Sequence, residues 1–314
     1  MLENLLFSLN MSLPLFILIG LGYLLRRKGM FTEEYVSRTS SLVYYVLLPA
    51  KLFLDMVTAD VYAAFEGRYV AAVVAGCLLQ FAMAWILGDL LCRDSGKQGA
   101  FDQACFRGNF AYLGLVLIQN LYGDRAVVLT AVIMVIMLPA YNIQGAILLT
   151  VKGSRGRVDV KGLLLQIFKN PMVLSLLAGM PFALLKIQLP FVVTKSLGYL
   201  SGCVSTIALL VVGASTRTDV IRDNFRLLLK ACAVKLVVVP AALFALSMGM
   251  GLRPAQVVTL TIVAAMPSAV NCYIVADKMG ADKALSCGAV VLSHALSIFT
   301  LTGLVFLFRT GGLL

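Results

Sequence analysis

Six stretches of the chain, residues 4–25, 69–88, 126–151, 196–216, 255–276 and 284–308, contain no Asp, Glu, Lys or Arg. Four further apolar runs, at 37–58, 101–123, 163–185 and 230–252, are shorter or interrupted. A helix that crosses a bilayer needs about 20 mostly apolar residues, so the pattern predicts ten spanning helices with short connections. No segment alternates apolar and polar positions over ten residues, as the strands of a membrane barrel must. The predicted class is an all-α polytopic membrane protein.

Composition narrows the function classes. Of 314 residues, 61% are apolar and 13% charged. A soluble protein has about 45–50% apolar and about 25% charged residues, and a domain of this length could not hide the excess. A soluble enzyme, a disordered chain, a collagen and a disulfide-rich secreted module are all excluded. The first apolar run is expected to be a retained helix rather than a signal peptide. Glu3 precedes it, and Arg26, Arg27 and Lys28 follow it, the reverse of a signal peptide's charge order. Cys77, Cys92, Cys105, Cys203, Cys232, Cys272 and Cys287 form no C-x-x-C. They read as small apolar helix residues, and neither a disulfide framework nor a metal site or other cofactor is expected.

The net charge of +11 could suggest nucleic acid, but its distribution does not. With the N-terminus placed outside, connections on the inner side carry 17 Lys and Arg, and the outer connections carry six. Lys51, Arg107 and Lys235 fall within spans. This is the positive-inside bias of an inner (plasma) membrane protein with both termini extracytoplasmic.

Ten helices divide into two halves, 1–150 and 151–314. Five helices per half gives the halves opposite topology, a frequent transporter design. Each half shows a related turn, L-Y-G-D-R-A (121–126) and K-M-G-A-D-K-A (278–284). Matching Gly123 with Gly280 sets Gly114 opposite Asn271 and Phe110 opposite Pro267. The fourth helix of each half is also the least helix-like. One reads R-G-N-F-A-Y-L-G (107–114) and the other M-P-S-A-V-N (266–271). A broken helix frees backbone groups that lipid cannot satisfy. Interrupted helices at corresponding positions point to a transporter's binding site, and their positive N-terminal ends favour an anion.

At these residues the chain resembles the auxin efflux carrier family. Asn109, Gly114 and Tyr122-Gly123 match its fourth-helix pattern, with Val116 where a proline is usual. M-P-S-A-V-N-C-Y-I-V-A (266–276) is similar to the bacterial form of its ninth-helix motif, with Cys272 where plant members have a second proline. L-P-L-F-I-L-I-G-L-G-Y-L-L-R-R-K-G (13–29), Y-V-L-L-P-A (45–50), K-N-P (169–171) and L-V-V-G-A-S (210–215) fit as well. The resemblance implies a fold like that of bile acid sodium symporters. Helices one, two, six and seven would form a scaffold, often dimeric. Helices three to five and eight to ten would form a transport domain in which helices four and nine cross. It also implies a carboxylate-bearing organic anion substrate and elevator-type movement.

Asn109 and Asn271 are the first candidates to hold the carboxylate, because an amide donates without a fixed charge. Gly108, Gly114, Pro267 and Ser268 belong to the same breaks. Lys51 and Asp55, four apart, can pair as a proton-linked switch or as a neutralised pair near the outer surface. Arg107 can draw anions inward, an effect that salt would screen, or snorkel to the inner face. Lys235 is expected to snorkel. His294, the one histidine, could carry a coupling proton or serve in packing. Coupling to protons or to sodium stays open. Gln80, Tyr141, Asn142 and Gln144 could line the transport domain. An enzyme is not expected. V-G-A-S-T (212–216) lacks the second glycine of a serine-protease motif, and neither metal-ligand clusters nor paired Asp-rich motifs occur. An anion channel or a membrane-embedded receptor is the alternative to a carrier.

Overall fold

The protein is described by a computed structural model over residues 14, 17–58, 66–123, 125–153, 169, 171–216 and 218–314. The start of the first predicted helix, most of the 151–162 connection with Arg155, Arg157 and Lys161, and Arg217 lie outside the described residues. In chain order the main helices are α1 (17–27), α2 (Glu33–Val57), α3 (Gly67–Leu91), α4a (Ser95–Phe106), α4b (Leu115–Tyr122), α5 (Arg125–Gly153), α6 (Pro171–Leu185), α7 (Phe191–Ser215), α8 (Phe225–Gly249), α9a (Pro254–Ala265), α9b (Asn271–Lys278) and α10 (Lys283–Thr310), with a short helix at Thr218–Asp223 between α7 and α8. No strand occurs among the described residues, where a single backbone bridge is the one β contact. Among the described residues five helices, α2, α3, α7, α8 and α10, are long and apolar enough to cross a membrane by length and composition. Leu90, Phe191, Phe299 and Leu307 are exposed on them, as a lipid-facing surface requires.

Two of the helices that carry a proline, α2 and α8, absorb it in the same way. Pro49 and Pro240 have no N–H to donate, and their rings would strike the carbonyl four residues earlier. In α2 a π-helical turn at Val43–Leu47 precedes Pro49, and in α8 another at Val234–Val238 precedes Pro240. The N–H of Leu48 reaches back to Val43 and that of Val239 to Val234. The extra residue also rotates the side chains around it, so a simple helical wheel misplaces them.

The helices pack in two groups. In one, α1 meets α7 backbone to backbone, since a Cβ on Gly22 would run into the carbonyl of Leu210 and one on Gly213 into that of Ile19. α2 packs on α6, with the Phe53 and Phe182 rings edge to face at 5.6 Å, and on α7. The other group joins α3, α4, α5, α8, α9 and α10. Tyr69 donates to the carbonyl of Leu129 at 3.0 Å and Tyr141 to Gln80 at 2.8 Å, tying α3 to α5. At the far end of α9a, Gln256 donates to Glu66 at 2.7 Å and Arg253 pairs with it. Those two partners hold the Glu66 carboxyl below its ordinary pKa. Contacts between the two groups are sparser and run mainly through α9b against α2 and α7, and α5 against α6.

Candidate functional site

α4 and α9 both break where they cross. α4a ends at Phe106 and the backbone turns extended at Arg107. α9a ends at Ala265 and turns extended at Met266. The two gaps pair antiparallel, with Gly108 opposite Ser268. The N–H of Asn109 donates to the carbonyl of Pro267 at 2.8 Å, and the N–H of Ala269 to that of Arg107 at 2.9 Å. Each break thus satisfies backbone groups freed by the other, and lipid is asked to satisfy none of these.

The crossing revises the internal alignment. Gly123 and Gly280 are 157 residues apart, whereas Gly108 and Ser268 are 160 apart. Gly114 therefore does not stand opposite Asn271, nor Phe110 opposite Pro267. The second half of α4 is longer, because a π-helical turn at Phe110–Gly114 precedes α4b.

Most of the predicted residues do assemble here. Ser268, buried, donates its hydroxyl to the carbonyl of Ala104 at 2.8 Å, and its N–H donates to Ser293 of α10 at 3.0 Å. Its hydroxyl is thus engaged in tying the α9 break to the last turn of α4a. Gly114 packs against Met266. The Asn109 amide nitrogen lies 3.4 Å from Nε2 of His294, and His294 Nδ1 lies 2.8 Å from the carbonyl of Val290. A carbonyl can only accept, so the ring proton sits on Nδ1 and the bare Nε2 accepts from Asn109. Asn271 opens α9b half-buried, and its amide has no partner among the described residues. Lys51 and Asp55 form an ion pair at 2.8 Å within α2, in the other helix group.

Two expectations about basic residues are corrected. Lys235 does not snorkel. It is fully buried, and its ammonium donates to the carbonyls of Phe106 at 3.2 Å and Ala264 at 2.8 Å. Arg107 neither snorkels nor faces an open inner vestibule, being 4% exposed. Its Nη2 donates to Asn142 at 2.7 Å, and its Nη1 has no partner among the described residues. One turn earlier, Gln103 is fully buried with both amide atoms unpaired. Both side chains face the bare backbone of Gly145 in α5. A Cβ there would stand 3.2 Å from Arg107 Nη1 and 3.4 Å from Gln103 Nε2. The titratable groups around the guanidinium are Cys272, Tyr44 and Tyr141, with no carboxylate. An arginine is always charged, so this buried charge lacks a protein counter-ion among the described residues.

Sequence reasoning passed over Gln103, although it named Gln80 and Gln144 in other apolar runs. Asp102 it should have found. A carboxylate inside a predicted span is a functional candidate by default, and this one is fully buried against Lys152 at 2.6 Å. Lys152 also pairs with Asp89 at 2.8 Å. Gln80 and Gln144 are used between helices, Gln80 accepting from Tyr141 and Gln144 donating to the carbonyl of Cys77 at 3.2 Å.

A cavity of about 410 Å³ opens between the two helix groups. Arg26, Ser37 and Ser215 line it from one group, and Tyr273, Asp277 and Lys283 from the other. The hydroxyls of Ser215 and Tyr273 meet across this seam at 2.6 Å.

A protein of Rhizobium meliloti named "Putative malonate transporter" is 26% identical over 309 residues, 97% of each chain. A protein of Methanothermobacter thermautotrophicus named "Uncharacterized transporter" is 22% identical over 298 residues, 94% of this chain and 96% of its own. Residues 7–305 match the membrane transport protein family. With broken helices crossing inside an apolar helical protein, and with nearly the whole length matched, this chain belongs to the membrane transport protein family, the auxin efflux carrier group.

Proposed function

We propose that the protein is a secondary transporter of small carboxylate-bearing anions. In this reading ten helices cross the inner membrane as two inverted halves, and both termini lie outside. The group containing α4 and α9 carries the substrate past a scaffold of α1, α2, α6 and α7, which also forms a homodimer. The observation that carries the substrate class is the Arg107 guanidinium, buried at the crossing with one nitrogen unpaired and no carboxylate opposite. A buried uncompensated charge costs several kcal/mol. A site that meets this cost without a protein anion is built to be completed by an anionic ligand. The unpaired amides of Gln103 and Asn271 add neutral donors. The name of the Rhizobium relative makes malonate the first compound to test.

Purified protein in liposomes preloaded with unlabelled malonate should accumulate labelled malonate transiently above equilibrium. Such counterflow needs a carrier. A channel would equilibrate the label without overshoot, and a receptor would move none, so either result would reject the reading.

Asn271→Asp places a carboxylate where the substrate's own would approach. Losing an amide bond to a charged group costs about 1.5–3 kcal/mol, or roughly tenfold to a hundredfold in affinity. The aspartate should be worse than Asn271→Ala at neutral pH and should recover partly in acid, when it is protonated. Binding by Asn271→Asp equal to the parent's would remove this residue from the site.

A further inference from the structure

The carbonyl ends of two broken helices meet at the crossing. Each helix C-terminus carries about half a negative charge, concentrated on its unpaired carbonyls. Membrane transporters with broken helices commonly neutralise such ends with a mobile sodium ion or proton. Here one side chain reaches the ends of both α4a and α9a. Lys235 comes from a third helix, α8, and its fully buried ammonium donates to Phe106, the last residue of α4a, and to Ala264, next to the end of α9a.

The surroundings are fitted to this contact. Lys235 sits in the π-helical turn ahead of Pro240, so the proline that forces the turn also sets the direction of the lysine. Gly108 leaves the ammonium its space, since a Cβ there would stand 3.0 Å from Lys235 Nζ. Among the described residues the titratable groups around it are Cys272 and Cys105, with no carboxylate. The cation is therefore held by backbone carbonyls and helix ends, as a small monovalent cation would be, rather than by an ion pair.

We infer that Lys235 is the resident cation of the crossing. Tethered through α8, it fills the position that a mobile monovalent cation would otherwise occupy between the half-helix C-termini. Two consequences follow. The intact protein needs no sodium to hold its crossing together. Removing the side chain should convert a permanently filled site into one that takes a cation from solution.

The test compares thermal unfolding of purified protein in choline, sodium and methylammonium chloride at equal ionic strength. The parent should unfold at the same temperature in all three. Lys235→Ala should unfold earlier in choline and recover saturably with methylammonium, the nearest mimic of the lost group, and to a lesser extent with sodium. Lys235→Met fills the same space without charge and should unfold early in every salt. In liposomes, Lys235→Ala should lose uptake by roughly tenfold to a hundredfold, the loss expected for hydrogen bonds to a charged group, and methylammonium should restore it. Identical salt responses of the alanine and methionine variants would overturn the inference. So would a parent whose stability or uptake requires sodium, a result that needs no variant to fold. Unfolding does not depend on what is carried. A protein that moves no carboxylate but shows these salt responses would refute the transporter reading and leave the resident cation standing.

Discussion

Arg107→Gln should abolish most anion uptake while leaving the folded protein at least as stable as the parent. The two halves of this result have one cause. In the proposed function the guanidinium becomes, with substrate bound, one partner of a buried charge pair, and truncating such a partner costs about 2–5 kcal/mol. That is roughly 30-fold to several-thousandfold in affinity. Without substrate, the same group is a buried charge with an unpaired nitrogen, and replacing it with a neutral amide removes a desolvation cost. Asn142 is the one side-chain partner that Arg107 has among the described residues, so a single hydrogen bond is lost with the guanidinium. Because the site is dry, the loss should be the same at low and high salt, since screening acts on exposed charges. Arg107→Lys keeps the charge but not the planar fork, and should fall between the two. Titration of each variant with labelled malonate, beside a thermal unfolding curve, checks both halves. If Arg107→Gln binds poorly and also unfolds early, the guanidinium is a structural strut. If it binds normally, the anion sits elsewhere.

What the sequence made legible follows from what lipid forbids. Charge is excluded from the bilayer core, so the charge-free runs mark α3, α7 and α10 without any knowledge of their packing. Breaks in a spanning helix need Gly, Pro or Asn, so R-G-N and M-P-S-A-V-N located both gaps. The pairing of the gaps was not legible. The Gly108–Ser268 bridge joins backbones, and a backbone leaves no signature in residue identity. The nearby glycine match misled by three residues because a π-helical turn adds length that no residue type announces. Lys235 failed for a related reason. A lysine within a span can reach for the surface or for carbonyls inside. The carbonyl that decided the matter belongs to Phe106, 129 residues away. Asp102 is a different kind of miss, since an ionisable residue inside a predicted span was in plain view.

Linking the two helix groups across their seam should stop transport and leave binding intact. The groups touch sparsely, and part of what joins them is the hydroxyl pair of Ser215 in α7 and Tyr273 in α9b. If the α4–α9 group slides along the scaffold during each cycle, these two residues must separate. Ser215→Cys with Tyr273→Cys, in a background where the exposed Cys203 is serine, can be joined by a short thiol-specific cross-linker. A linker about as long as the tyrosine side chain takes the place of the hydroxyl contact. Sliding of packed helices is a shear motion, and a covalent bridge across the shear plane removes it. Uptake by the linked protein should fall at least about tenfold relative to the same double variant before linking, and a reductant that opens the linker should restore it. Malonate should still raise the unfolding temperature of the linked protein, because Arg107 and Gln103 face Gly145 inside the α4–α9 group and are not touched by the link. Loss of transport with retained binding is the signature of a blocked movement between otherwise intact bodies. Uptake unchanged by linking would mean that α7 and α9b keep their places throughout the cycle, and the substrate would then have to pass through a gate within one helix group rather than ride with it.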